Sequence, residues 1–476
     1  MSQMETERPG RSKAMEGLIA VVWGIAFIIV YFLFNIFWGQ TIASKTGLLL
    51  HLEWSDLTLA FAAAIYVCLV GLLFYLYGLL FSEKVAGRGM QLLTVLPLVL
   101  LGSLIWLLTY RSLSGATSNL NDMPWMFFTL FAFWLVPIVD YLKFYITDST
   151  YLKAAGLLLS LLPSTAAWLG MIRMTGLQGE RRLLRGLLPG TAVPAMLLAL
   201  LFGSMLLPHQ APFTLKTLPV LDGATAAIPF GNIAVHELTG VNKPYAANAV
   251  RFNTTHNAYV NLIEKRADLI FVAGPSDEET ALAASKGVKL KLTPIGKDAF
   301  IFLVHRENPV SNVTVAQLQA IYSGQLTNWK EIGGADSRIV AFQREKNSGS
   351  QTFMEQKIMK GLPFAEPPKE RKAGGMGGLI EAVADYHNAD NALGYSFYYY
   401  ASEMNRREEV KFLAVEGVEP NKDNIRSKTY PFTAELFAVT REDEPENSAA
   451  NRMVAWILSE EGRQAVEAGG YVTATH

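Results

Sequence analysis

Six long apolar runs fill the first 207 residues of this 476-residue chain, and no other feature limits its fold as much. They cover residues 15–38, 57–81, 91–110, 123–146, 152–172 and 187–207. About 20 apolar residues in helical form cross the hydrocarbon core of a bilayer. A soluble protein buries one such helix, not six in succession. The 51% hydrophobic content agrees. The first run holds a single acid, Glu16, is too long for a signal-peptide core and is followed by no small-residue cleavage site. It reads as a retained helix. Trp and Tyr near several run ends suit the headgroup region. The expectation is a multi-pass α-helical membrane domain of five or six helices over residues 15–207, behind a polar N-terminus at 1–14, with the lipid bilayer as its partner.

Orientation follows from where Lys and Arg gather, because they stay on the cytoplasmic side. The most basic loop carries Arg173, Arg181, Arg182 and Arg185. With that loop inside, the last helix delivers the C-terminal half to the outside. The basic N-terminus also prefers the inside, and six spans do not satisfy both. Either the N-terminus lies outside, or one run does not cross. The weakest crosser is 123–146, interrupted by Pro137, Asp140 and Lys143. Asp140 and Lys143 lie at helical spacing and either pair within the membrane or snorkel to its surface. There is no repeat and no clear broken-helix pair, so a transporter core gains little support.

Past the last run the character changes. Pro208, Pro212 and Pro219 mark a stiff exit, with a linker at 208–216. Short apolar strands then alternate with amphipathic helices, which is the pattern of an α/β domain at 217–476. Strands are expected at 217–221, 268–272, 299–304, 338–342 and 435–439, and a further one at Tyr398-Tyr399-Tyr400. Helices are expected near 229–238, 258–266, 277–286, 315–321, 353–359, 378–387 and 449–458. Residues 1–210 carry a net charge of +3 and residues 211–476 one of −4, so neither half has the basic field nucleic acid requires. The single cysteine, Cys68, allows no intrachain disulfide. Seven scattered histidines show no metal spacing, and no nucleophile–base pair stands in close order. No metal, no cofactor and no enzymatic activity are expected.

The chemistry concentrates in Arg344-Glu345-Lys346-Asn347-Ser348-Gly349-Ser350-Gln351-Thr352, just before an apolar helical run. A helix start offers free N–H groups and partial positive charge. Gly349 admits a ligand to the backbone, Ser348 and Ser350 add hydroxyl donors, and Arg344 grips two oxygens of an anion. That is a seat for a small oxyanion. Ser348 and Gln351 also fit an ordinary capping box. Two more hydroxyl-bearing helix starts exist, at Thr225 ahead of Pro229 and at Thr254 and Thr255. In α/β sheets, ligands collect where strand ends meet helix N-termini. Trp329 reads as packing. The glycine-rich run Gly374-Gly375-Met376-Gly377-Gly378 is either a backbone contact or a flexible connection.

The order Ile321-Tyr322-Ser323-Gly324-Gln325-Leu326-Thr327-Asn328-Trp329-Lys330-Glu331-Ile332-Gly333-Gly334, then Arg344 and Ser348-Gly349-Ser350, resembles the phosphate-binding protein family of phosphate ABC transporters. Pro294-Ile295-Gly296-Lys297-Asp298-Ala299-Phe300 and Gly394-Tyr395-Ser396 fit the same pattern. The resemblance covers about residues 214–476. It implies a two-lobed α/β type II periplasmic-binding-protein fold, with lobe I about 217–304 and 398–476 and lobe II about 305–397. It implies that Thr225, one of Thr254 and Thr255, and Arg344, Ser348, Gly349 and Ser350 hold phosphate or a related oxyanion. One departure stands out. Where family members often place an aspartate that accepts the proton of bound hydrogen phosphate, this chain has Ala273; Asp222 is a possible substitute. The resemblance also implies an extracytoplasmic C-terminal domain at the cell membrane, serving an ABC permease or another membrane partner. The alternative is a membrane sensor or transporter whose binding domain gates the transmembrane half.

Overall fold

A computed structural model describes residues 12–39, 41, 52–82, 85, 87–111, 123–146, 149–175, 182–205, 211–250, 252–366, 379–380, 383–384 and 391–473. The chain divides into two compact units, Met1–His209 and Gln210–His476.

In the first unit, α1 (Lys13–Phe34) starts at Ser12 and α2 (Asp56–Phe81) at Ser55, each serine accepting a backbone N–H three residues on. Then come α3 (Arg88–Arg111), α4 (Met123–Phe131), α5 (Val136–Leu142), α6 (Ser149–Ser160), α7 (Leu162–Thr175) and α8 (Arg182–Met205). Among the described residues, four helices are long and apolar enough to cross a membrane: Lys13–Trp38, Asp56–Phe81, Arg88–Tyr110 and Thr150–Met174. The expected run at 123–146 is bent by 96° between its two helical parts. Pro137 sits in the first turn of the second part, where its missing N–H costs nothing. Asp140 and Lys143 pair at 2.9 Å, both partly exposed. In the last run, the stretch Ala195–Met205 is an apolar helix too short to meet the same test. Glycines let α2 and α7 touch: a Cβ on Gly78 would lie 2.0 Å from the Ala167 carbonyl, and one on Gly170 2.2 Å from that of Tyr75. Phe27, Tyr31, Phe74, Trp125 and Trp134 form an aromatic core.

The second unit is α/β. Its elements are β1 (Leu221–Gly223), α9 (Ile228–Thr239), α10 (Lys243–Ala249), α11 (Thr255–Ile263), β2 (Leu269–Val272), α12 (Asp277–Ser285), β3 (Leu290–His305), β4 (Asn312–Val313), α13 (Val315–Tyr322), β5 (Val340–Ala341), α14 (Gly349–Phe353), β6 (Ala392–Phe397), β7 (Val410–Phe412), β8 (Ala414–Val415), α15 (Lys422–Arg426), β9 (Thr433–Arg441), α16 (Ala449–Ile457), α17 (Glu460–Ala468) and β10 (Val472–Thr473). The main sheet runs β1-β2-β9-β3-β6-β5. Its axis is β3. Residues 290–299 pair antiparallel with β9, and residues 300–304 pair antiparallel with β6. One strand therefore serves two packed cores. Phe230, Leu238, Phe271, Met453 and Ile457 fill the first; Phe300, Phe302, Tyr322, Trp329, Met354 and Tyr395 fill the second. Phe213, expected in the linker, is buried in the first core under the Arg452 guanidinium, 4.6 Å away.

Several expected elements shift. The strand at 217–221 begins only at Leu221, because Thr214 and Thr217 close a turn through their hydroxyls. The strand at 338–342 shrinks to β5. The strand at Tyr398–Tyr400 is instead helical: β6 ends at Phe397, and the Tyr399 N–H donates to Asp298. Helices α10, α15 and α17 are additions. Of the helix at 378–387, residues 379–380 and 383–384 are described and helical. The glycine-rich run 374–378 lies outside the described residues.

Candidate functional site

Three helix starts open onto one cavity of about 240 Å³ in the second unit. Its wall includes Thr225, Thr254, Thr255, His256, Arg344, Ser348 and Gly349. Thr225 begins a tight turn, Thr225–Ala227, that leads into α9 directly after β1. Thr254 caps α11: its Oγ1 accepts from the Asn257 N–H at 3.4 Å. Ser348 caps α14 in the same way, accepting from the Gln351 N–H at 3.3 Å. A hydroxyl that accepts in a cap keeps its own hydrogen to donate, so capping and ligand contact are compatible. The loops approach closely. A Cβ on Gly349 would lie 2.8 Å from Thr255 Oγ1, which is why this position has no side chain.

Only half of the expected capping box forms. Gln351 does not reach back to Ser348. Its Oε1 accepts from the Arg344 N–H at 3.2 Å and from the Tyr395 hydroxyl. Tyr395 also receives the Arg344 N–H, at 2.9 Å. These bonds fix the Arg344 backbone. Its side chain is 6% exposed and makes one long ionic contact, Nη2 to Glu345 at 3.7 Å. Nε and Nη1 have no hydrogen-bond partner among the described residues. Burial pulls the guanidinium pKa below its ordinary value, with no counterion deep enough to offset it. A cation held dry with two donors unspent is arranged to meet an anion.

Six of the seven expected residues therefore share one cavity wall. Ser350 does not: it is fully buried in the first turn of α14, and its Oγ has no partner among the described residues. Ala273 lines a different cavity, of about 350 Å³, and its carbonyl accepts from the Tyr259 hydroxyl. Asp222 is not a free acceptor. Its carboxylate takes the N–H groups of Gly223 and Asn253 and the side-chain amides of Asn253 and Asn261, at 2.7–2.8 Å. It braces the second loop.

Residues 222–461 match the family described as a PBP superfamily domain. The chain belongs to the PBP superfamily. Within this superfamily, the phosphate-binding protein PstS of Staphylococcus aureus strain MRSA252 is 27% identical over 202 residues, 42% of this chain. The chain spans 60% of that relative's length. Among solved structures, an ABC-type phosphate transport receptor from Vibrio cholerae is 20% identical, covers 54% of this chain and all of its own, and gives a TM-score of 0.42. PstS from Borrelia burgdorferi is 19% identical, covers 55% of this chain and all of its own, with a TM-score of 0.37.

Sequence reasoning missed part of this PBP-superfamily cavity. His256 and Asn257 lie one and two residues beyond Thr255, and Glu345, Lys346 and Asn347 lie inside the stretch it singled out. Asn347 takes a left-handed conformation, φ 64°, which asparagine tolerates better than most. Its amide donates to Glu278 at 2.8 Å, and Lys346 reaches the same carboxylate at 3.1 Å. The Asn347 bond, then Lys346, holds Glu278 below the usual carboxylate range. This clasp ties the Arg344 loop to the start of α12.

Proposed function

We propose that the protein is a membrane-anchored solute-binding protein that captures phosphate outside the cytoplasm and passes it to an ABC-type permease. The observation that carries this is Arg344, dry, fixed by Gln351 and Tyr395, and holding Nε and Nη1 unspent beside three helix N-termini. Thr225, Thr254 or Thr255, Ser348 and the backbone at Gly349 supply the remaining donors, with Ser350 supporting them from behind. The two lobes follow the two cores rather than the expected bounds of 217–304 with 398–476 and 305–397: Phe300, Phe302, Leu413, Ile425 and Phe432 pack with Tyr322 and Met354, so residues 300–304 and about 398–432 go with lobe II, and the ligand sits between the lobes. Such a site binds without making or breaking covalent bonds. The S. aureus relatives are phosphate-binding proteins, which supports the choice of ligand. Anchoring is supported by the surface: among the described residues, every large exposed hydrophobic except Val220 and Leu362 lies between residues 15 and 205. The test is isothermal calorimetry on the full chain in detergent with inorganic phosphate. Absence of heat with phosphate and with other tetrahedral oxyanions rejects the proposal. Protease treatment of intact cells tests the placement, and full protection of residues 213–476 contradicts it.

A second reading has one observation in its favour. In the first unit, the bent segment borders a cavity of about 190 Å³ lined by Asp140, Lys143 and Lys153. Charged groups within an apolar helical bundle often serve function. On this reading the binding domain gates the transmembrane half. Phosphate-dependent change in proteolysis of the first unit, in the absence of any permease, separates it from simple anchoring.

A further inference from the structure

We infer that His256 is a specificity-determining residue of the Arg344 cavity, accepting a hydrogen bond from the O–H of the bound anion and so selecting hydrogen phosphate over sulfate. The inference rests on the oxyanion reading above. It begins with a count of what the cavity wall offers. Helix-start N–H groups and the Arg344 guanidinium only donate. The hydroxyls of Thr225, Thr254, Thr255 and Ser348 turn either way and do not discriminate. Such a wall suits an anion with no proton at all. Hydrogen phosphate differs from sulfate by one O–H, and distinguishing them requires a fixed acceptor.

The carboxylates nearby do not provide one. Asp222 is saturated by four donors. Glu345 is 66% exposed and turned to Arg344 Nη2. Glu278 is committed to Asn347 and Lys346. Position 273 is alanine and lines another cavity.

His256 is different. It lines the cavity from the first turn of α11. Its Nδ1 lies 3.1 Å from Glu279 Oε1. Glu279 is buried, and its Oε2 is held by the Ser276 N–H at 2.8 Å in the capping box of α12. That carboxyl cannot swing away. A carboxylate at Glu279 only accepts, which assigns the Nδ1–H tautomer to His256 with Nδ1–H donating to it. The neutral ring then carries its lone pair on Nε2, which has no hydrogen bond among the described residues. A buried carboxylate thus sets the tautomer, and the tautomer presents an acceptor.

The experiment is competition calorimetry on the full chain in detergent, at mildly alkaline pH, with inorganic phosphate and inorganic sulfate. Wild type is expected to prefer phosphate by about tenfold or more, the effect of one charge-assisted or well-placed hydrogen bond. His256→Phe keeps the ring volume and removes the acceptor; it should bring the ratio to near one by weakening phosphate while leaving sulfate unchanged or tighter. His256→Gln keeps an acceptor oxygen and should retain part of the preference. Equal affinity for the two anions in wild type overturns the role of His256 and leaves the oxyanion reading standing. So does equal weakening of both anions by His256→Phe, which would mark a packing role. If wild type binds neither anion, the oxyanion reading itself falls.

Discussion

Arg344→Ala separates affinity from stability in a way the geometry makes quantitative. Among the described residues the guanidinium forms only the 3.7 Å ionic contact with Glu345, and Nε and Nη1 bond nothing. Its removal therefore takes little from the unliganded fold; the backbone N–H that Gln351 and Tyr395 hold survives in alanine. The ligand loses more. Two donors on one cationic fork give two charge-assisted bonds, each about 1.5–3 kcal/mol. The desolvation of the guanidinium is already spent in the free protein, as its lowered pKa indicates, so it does not offset that loss. At the low end of that range one lost bond predicts ~10-fold weaker phosphate binding and two predict ~100-fold or more. Melting without ligand should hold within a few degrees or rise. Arg344→Lys, which keeps the charge and loses the fork, should fall between. Calorimetry and thermal melts on the same preparations decide it. Affinity within about threefold of wild type, or a collapse of the unliganded fold, refutes the argument.

Other outcomes follow from the same contacts. Gly349→Ala places a Cβ 2.8 Å from Thr255 Oγ1 and should weaken phosphate several-fold with secondary structure intact; unchanged calorimetric affinity means the loops close without that contact. Glu278→Gln keeps an acceptor for Asn347 but loses the exposed ionic hold on Lys346, which salt screens, so affinity should drop slightly at low salt and hardly at high salt. Asp298 is buried where β3 passes between its two partners, and burial pushes its pKa up to about 7. A folded value above the unfolded one means that the protonated form accompanies folding. That stability is whole below about pH 4 and is lost as pH rises through 7, at most about 4 kcal/mol. Melting temperature should fall between about pH 5 and about pH 8, and Asp298→Asn, which can still accept the Ala299 and Tyr399 N–H groups, should flatten that fall.

Much of this architecture was legible because it rests on local rules. The apolar runs are long enough to declare themselves, and Pro137 marked the run that bends. The alternation of short apolar strands with amphipathic helices, and Pro229 at a helix start, located α9, α12, α13 and α16 within a residue or two. What escaped depends on distant partners. Apart from the adjacent Gly223 N–H, nothing near Asp222 in sequence shows that Asn253 and Asn261 take up its carboxylate. The Tyr398–Tyr400 strand failed because β-favouring side chains lost to a backbone bond with Asp298, a hundred residues away. His256 looked unremarkable beside Thr255, since its meaning comes from Glu279 on another helix. Gln351 fitted a familiar cap and proved to brace Arg344.

The single strand that belongs to both cores has a mechanical consequence. Thr225, Thr254 and Thr255, at the starts of α9 and α11, stand on one side of β3's crossing point, and Arg344 with α14 stands on the other, so on the function proposed above an anion held by both would be a rivet between two plates joined along one strand. Occupancy would then set the angle of the plates, and a neighbour resting against both of them would read a full cleft by shape alone, without ever touching the ion.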